Sequence, residues 1–231
     1  MRYNVVMTIF DFLDNHHIYY HDKDLITHAF YHSSYVNEHK DLKGDNERLE
    51  FMGDAVLQIY SATILFNKTP KLDEGDMSKL RANMVCENTL AKIAREFKLN
   101  DYLMLGQGEE KTGGRDRDSI ISDMFEAFIG AVYVDTDIDN VFNLLEQLFE
   151  NHIDSINEDV IDYKTRLQEY VQADSSRTIE YELVYSKGPC NKPEFKMAVK
   201  IDGIVYGYGI GSTKKEAQKK AAKDALDKVA K

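Results

Sequence analysis

The stretch Asn46-Glu47-Arg48-Leu49-Glu50-Phe51-Met52-Gly53-Asp54-Ala55-Val56-Leu57 constrains the fold most, because it places acids beside residues that must be buried. Leu49, Met52, Val56, Ile59, Tyr60 and Leu65 recur at three- and four-residue steps, which predicts a helix with one stripe on a core. Glu47, Glu50 and Asp54 follow one another at spacings of three and four, so they share one side of that helix. Like charges so placed repel by about 0.2–0.5 kcal/mol, and by more when desolvated. The arrangement gains nothing for a fold unless a cation sits between the acids. Gly53 costs about 1 kcal/mol in a helix interior relative to Ala. It makes sense where a neighbouring chain or a ligand must come close. A solvated acidic face is the simpler reading of three such acids. Here they lie beside the apolar stripe rather than opposite it, which weighs against that reading.

A second acid pair answers the first. Ser119-Ile120-Ile121-Ser122-Asp123-Met124-Phe125-Glu126-Ala127-Phe128-Ile129-Gly130-Ala131-Val132-Tyr133 reads as a strongly apolar helix whose only charges are Asp123 and Glu126. Their i,i+3 spacing puts both on one face. Charged groups are rarely buried unless paired or metal-bound. Two apolar helices that each carry close acids point to a four-carboxylate site for a hard cation, Mg²⁺ or Mn²⁺.

The chain of 231 residues is 43% hydrophobic and 30% charged, enough to bury the cores of two modest domains. Cys86 and Cys190 are far apart and belong to no metal-spaced cluster, so neither a disulfide framework nor a zinc site is expected. The apolar N-terminal run is too short for a signal peptide, and no membrane-spanning stretch is expected. Together these predict a cytoplasmic protein. The net charge of −11 hides an asymmetry. Residues 1–160 carry 15 Lys and Arg against 30 Asp and Glu, a net of −15, whereas residues 161–231 carry 14 against 10, a net of +4. An acidic module is joined to a basic one.

Periodicity divides the chain at the same place. Before residue 160 only helical patterns occur. Asp24 is the expected cap of an early helix, Lys40 to Asp45 a polar loop, and Glu109 to Asp118 a Gly-rich, charged loop. The histidines His16, His17, His28, His32 and His39 lack a tight ligand pattern and read as surface or hydrogen-bonded residues. Beyond the polar linker, Asp162 can cap a helix with Leu167, Tyr170 and Val171 inward. Ile179, Tyr181, Leu183 and Tyr185 then alternate with period two, as do Phe195, Met197, Val199 and Ile201, with Asp202-Gly203 as a tight hairpin. Val205 to Ile210 gives a third strand weakened by Gly207 and Gly209, and Thr213-Lys214-Lys215-Glu216 is a capping box opening a last helix. The expected fold is α+β. An all-α domain over 1–152 and a linker over 153–161 precede an α-β-β-β-α domain over 162–231.

These stretches resemble the ribonuclease III family over nearly the whole chain. Asn46 to Leu57 resembles the family's signature stretch, and Asp123-Met124-Phe125-Glu126-Ala127 its second acidic motif. His32 to Glu38, Glu74-Gly75, Ser78-Lys79-Leu80-Arg81-Ala82, and Gly108-Glu109-Glu110 followed by Gly113-Gly114 match in the same order. The resemblance implies that Glu50, Asp54, Asp123 and Glu126 are the metal ligands and catalytic acids, with Glu47 and Glu74 as acidic helpers near the scissile strand. Residues 162–231 resemble the double-stranded-RNA-binding domain. Thr165 and Gln168 match positions that touch the RNA minor groove, and Gly188, Pro189 and Asn191 lie in a groove-facing loop. Lys214, Lys215, Lys219 and Lys220 offer amines to phosphate at a helix N-terminus. Asn191 stands where the family often has His, and Gln218 where it often has a third Lys.

The function so implied is a Mg²⁺-dependent homodimeric endoribonuclease. It would cut double-stranded RNA, ribosomal precursor among other structured RNAs, into 5′-phosphate and 3′-hydroxyl ends with short 3′ overhangs. The competing class is a protein that binds duplex RNA through a disabled nuclease fold. That class should have lost one of the four acids, and all four are present.

Overall fold

The computed structural model describes residues 7–68, 71–153, 162–172, 177–189 and 192–229. The chain forms two compact units, Met1–Val160 and Ile161–Lys231.

The first unit is helical: α1 Ile9–Asn15, α2 Lys23–His28, α3 Ser33–Glu38, α4 Glu47–Phe66, α5 Glu74–Met84, α6 Glu87–Glu96, α7 Gln107–Lys111, α8 Asp118–Asp135 and α9 Ile138–Phe149. An isolated parallel bridge between Tyr31 and Met104 is the only strand-like pairing among its described residues. The hub is α8, on which α2, α4, α6 and α9 all pack. Its apolar residues are buried nearly all round, from Ile120 and Ile121 through Phe125 and Phe128 to Val132. A helix that is apolar on every side belongs inside a bundle.

Several sequence expectations need correction. The buried stripe of α4 is Gly53, Val56, Leu57, Tyr60, Ser61 and Leu65, while Ile59 turns outward with Phe51 and Phe66. By length and mean hydropathy α4 does reach the threshold of a membrane span, against expectation. Its acids and its packing on α8 account for it as a core helix. The cap of α2 is Asp22, whose carboxylate accepts from the amides of Asp24 and Leu25. The stretch 109–118 is no plain loop. It holds the end of α7 and a 3₁₀ turn over Gly114–Asp116, tied down by Arg115 to Glu110 at 2.8 Å and Arg117 to Glu109 at 2.9 Å.

The second unit runs α10 Tyr163–Gln172, β1 Ile179–Lys187, β2 Glu194–Ile201, β3 Ile204–Gly211 and α11 Lys214–Val229. The strands form an antiparallel sheet in the order β1-β2-β3. Asp202 and Gly203 both take positive φ, 51° and 79°, which a two-residue hairpin turn of this hand requires. Leu167, Val171, Val199, Ile201 and a row of α11 alanines make the core. Tyr170 is half exposed rather than inward, its hydroxyl donating to the carbonyl of Val229. A bulge between Leu183 and Tyr185 breaks the alternation of β1 and leaves Leu183 exposed. Gly207 and Gly209 seat β3 directly on α11, because a Cβ on either would collide with the carbonyl of Ala221 or Ala217. They are a packing device rather than a weakness.

Candidate active site

Where α4 and α8 cross, each helix has a glycine. A Cβ on Gly53 would collide with the main-chain carbonyl of Glu126, and one on Gly130 with that of Leu49. Only residues without a Cβ let the two backbones meet this closely. The close approach expected at Gly53 is thus made by α8. The crossing has a chemical consequence. Glu50 and Asp54 flank Gly53 on α4, and Glu126 and Asp123 lie one and two turns before Gly130 on α8. Four carboxylates therefore gather at one contact.

Their electrostatics show it. Burial pushes the Glu126 carboxyl up to about 8, and the negative charges of Asp54, Glu50 and Asp123 add to the rise. Glu50 is raised by burial and then by Asp123, Glu47, Asp45 and Asp54. Asp123 is raised by burial and Glu87, against a hydrogen bond from Ser122 and the nearby His32. Asp54 accepts a hydrogen bond from Gln58 at 3.3 Å and is exposed. Among the described residues no cationic side chain contributes to the environment of Glu50 or Glu126. Hard oxygen donors on two rigid helices fit a divalent cation. They are not closed into a cage: among the described residues no three of His, Cys, Asp and Glu already stand in metal-holding geometry. Uncompensated carboxylates repel one another.

The accessory acids part company. Glu47, exposed in the first turn of α4, acts on Glu50 and belongs to the cluster. Glu74 does not. It accepts a hydrogen bond from Ser78 and lines a groove with Ala62, Phe66 and Arg81. Ala62 is eight residues beyond Asp54, about 12 Å along the helix at 1.5 Å per residue. The histidines are surface or hydrogen-bonded residues, as expected, with His17 exposed. His16 bonds Gln147, His28 the carbonyl of Asp45, His32 Ser34, and His39 the carbonyl of Tyr35. The sequence reading missed Asp45, Glu87 and His32 as neighbours of the cluster. Asp45 directly precedes the signature stretch, but Glu87 opens a separate helix and carries no local signal.

In the second unit, Asp162 accepts from the amide and the hydroxyl of Thr165 at 3.1 and 2.8 Å, fixing the start of α10 with Thr165 and Gln168 exposed. Gly188 has φ +93°, and a Cβ there would press on the carbonyl of Lys192. Pro189 accepts from the Lys192 amide at 2.9 Å. Asn191 lies outside the described residues. Lys214 and Lys215 stand exposed in the first turn of α11, with Lys219 half-buried a turn later, whereas Lys220, expected to face phosphate, is held on Glu216 at 2.8 Å. Thr213 caps that helix by accepting from Glu216 N at 3.1 Å, but Glu216 returns to Ser212, one residue before the usual capping-box partner.

Comparison with known proteins shows the family of each unit. Residues 22–152 match the Ribonuclease-III-like family and residues 163–229 the double-stranded RNA binding motif. The chain is 45% identical over 210 residues to Ribonuclease 3 of Bacillus cereus (strain AH187), covering 90% of this chain and 86% of that one. It shows the same figures against Ribonuclease 3 of Bacillus anthracis (strain A0248). Among solved structures, the nuclease domain of ribonuclease III from Campylobacter jejuni, described for flexibility in a region involved in its dimer formation, superposes with a TM-score of 0.56 at 38% identity. It covers 62% of this chain and 97% of that one. With its acid cluster in the first unit and a duplex-RNA-binding motif in the second, the chain belongs to the ribonuclease III family of endoribonucleases.

Proposed function

We propose that the chain is a Mg²⁺-dependent endonuclease, with Mn²⁺ able to substitute, that cuts double-stranded RNA as a homodimer. The observation that carries this is the Glu126 carboxyl, held with Glu50, Asp54 and Asp123 and without a protein cation. These four acids would hold the metal. When bound, a divalent ion acidifies a water and stabilises charge on phosphate oxygens. The four carboxylates would hold that ion in place from two rigid helices. In-line attack on phosphorus expels the 3′ oxygen, leaving 5′-phosphate and 3′-hydroxyl ends.

The homodimer reading has support in α4. Phe51 (77%), Ile59 (54%) and Phe66 (74%) are exposed on one face at steps of eight and seven residues. Scattered exposed apolar side chains are ordinary, whereas a row along about four turns marks an interface. A two-fold axis across that row would set two acid clusters against opposite strands, the geometry for staggered cuts with short 3′ overhangs. It would also give the isolated Glu74 of one copy a route to the neighbouring site. The substrates we assign are ribosomal precursor and other structured RNAs in the cytoplasm. Long duplex RNA incubated with the purified chain, with and without Mg²⁺, tests the reading. Metal-dependent cleavage to ends that a 5′-phosphate-dependent exonuclease can enter supports it, and cleavage unaffected by EDTA refutes it.

A further inference from the structure

We infer that Lys164 is a phosphate-binding residue for the RNA duplex, held in place by Gln218. The inference rests on the duplex-binding role of residues 163–229 and adds a residue to it. Lys164 lies in the first turn of α10, and its Nζ donates to Gln218 Oε1, on the second turn of α11, at 2.9 Å. The same ammonium sits 4.9 Å from the centre of the Tyr181 ring. It is therefore fixed from two sides, next to the turn that carries Lys214 and Lys215.

The nature of those partners decides what the amine can do. Lys220, Lys187 and Lys228 each spend their ammonium on a carboxylate, at 2.8, 2.9 and 2.6 Å, and Lys200 does so on Glu182. Lys164 donates a hydrogen bond to a neutral amide and sets its charge over a ring face. Neither neutralises it, so the full charge stays available to a phosphate, and an ordered amine loses little side-chain entropy on binding. Asp162, the nearest acid in sequence, turns its carboxylate onto Thr165. Lys164 also shares a groove of about 440 Å³ with Gln168. It thus connects the exposed polar face of α10 to the amines of α11. The amine missing from position 218 is supplied from the other helix.

The test uses the full chain, a labelled RNA duplex and EDTA to block cleavage, with fluorescence anisotropy read across 50–200 mM salt. Lys164→Met keeps the stem on Tyr181 and removes the charge. It should weaken binding about three- to tenfold at 50 mM salt and make the log–log salt slope shallower by about one unit. Lys164→Arg should retain the wild-type slope. Lys196→Met, on the sheet face turned away from α11 and over Tyr208, should leave it unchanged. A thermal unfolding curve for each variant separates lost binding from lost folding. A Lys164→Met protein that is folded and has the wild-type slope overturns the inference, as does an equal change in Lys196→Met. Failure of the wild-type chain to bind duplex RNA removes the duplex-binding reading itself.

Discussion

Two glutamates, one in each unit, sit at opposite extremes. Burial among three other acids pushes Glu126 up to about 8. Hydrogen bonds from Lys220 and Ser212 pull Glu216 down to about 2. Both side chains are partly covered, and both lie on helices packed by glycine-mediated contacts. The difference is the company they keep. In the second unit several acids are matched by amines, Glu216 and Asp224 by lysines one turn along α11 and Glu182 and Glu194 by lysines of the sheet. In the first, Glu50 and Glu126 lack a cationic partner among the described residues. On the reading proposed above, charge left unmatched by the fold calls for something from outside, a cation at Glu126 and a phosphate at Lys164.

The sharpest way to break that contrast is to remove the charge and keep the shape. Glu126→Gln should lower the cleavage rate by ~100-fold or more while leaving duplex affinity unchanged, read by gel assay and anisotropy. Near-normal cleavage at millimolar Mg²⁺ would remove Glu126 from the site. Ending the chain at Val160 separates the two kinds of unmatched charge. The −15 unit should still cleave at low salt with ample Mg²⁺ but lose at least about tenfold in activity at physiological salt, because the counterion-release term goes with the +4 unit. Equal activity of the truncated and full chains at physiological salt would show that the first unit binds RNA unaided.

The glycine contacts give a third test. Gly53→Ala should destabilise the first unit by about 3 kcal/mol, since neither main chain can yield without moving its helix. Gly209→Ala should cost a similar amount in the second unit, where it should impair RNA binding and leave metal binding intact. Thermal unfolding and a metal titration distinguish them.

The smallest effect is the pH dependence of stability, and its sign differs between the two glutamates. Glu126 has a folded-state value above the ordinary carboxylate range, so the metal-free fold loses stability as pH rises from about 4.5 through 8. Glu126→Gln should therefore raise the unfolding temperature in EDTA at pH 9 and leave it nearly unchanged at pH 4. Glu216 contributes stability that is present above about 4.5 and lost as pH falls through 2. Glu216→Gln should lower the unfolding temperature at pH 7 by a few degrees, and the difference should vanish near pH 2.

Much of this was legible in the order of residues, for identifiable reasons. Acid spacing on two apolar helices is a local pattern, and so are the alternating strands and the Asp202-Gly203 turn. The rest depended on long-range partners. Ile59 fits the helical repeat of α4, but a repeat cannot say which side faces α8 and which is left open. The 109–118 stretch looks like a loop until Arg115 and Arg117 find Glu110 and Glu109. Glu74 shares the family's sequence pattern with the other acids, yet a single chain keeps it about two turns of α4 or more away from them. Gly207 and Gly209 look like weak points of a strand until the alanines of α11 are seen against them.

The glycine crossing also bears on how freely this enzyme can change. The distance between the acids of α4 and those of α8 is set by one backbone resting on the other, at Gly53 and Gly130. Elsewhere in the bundle, side chains such as Tyr60, Phe128 and Phe149 can exchange volume with their neighbours and the helices can shift to suit, because none of them sets that spacing. Thermostabilising or species-specific repacking of the core is therefore open to mutation one residue at a time, while the two glycines are closed to it. A lineage can drift through most of its interior and still keep the same gauge between its carboxylates.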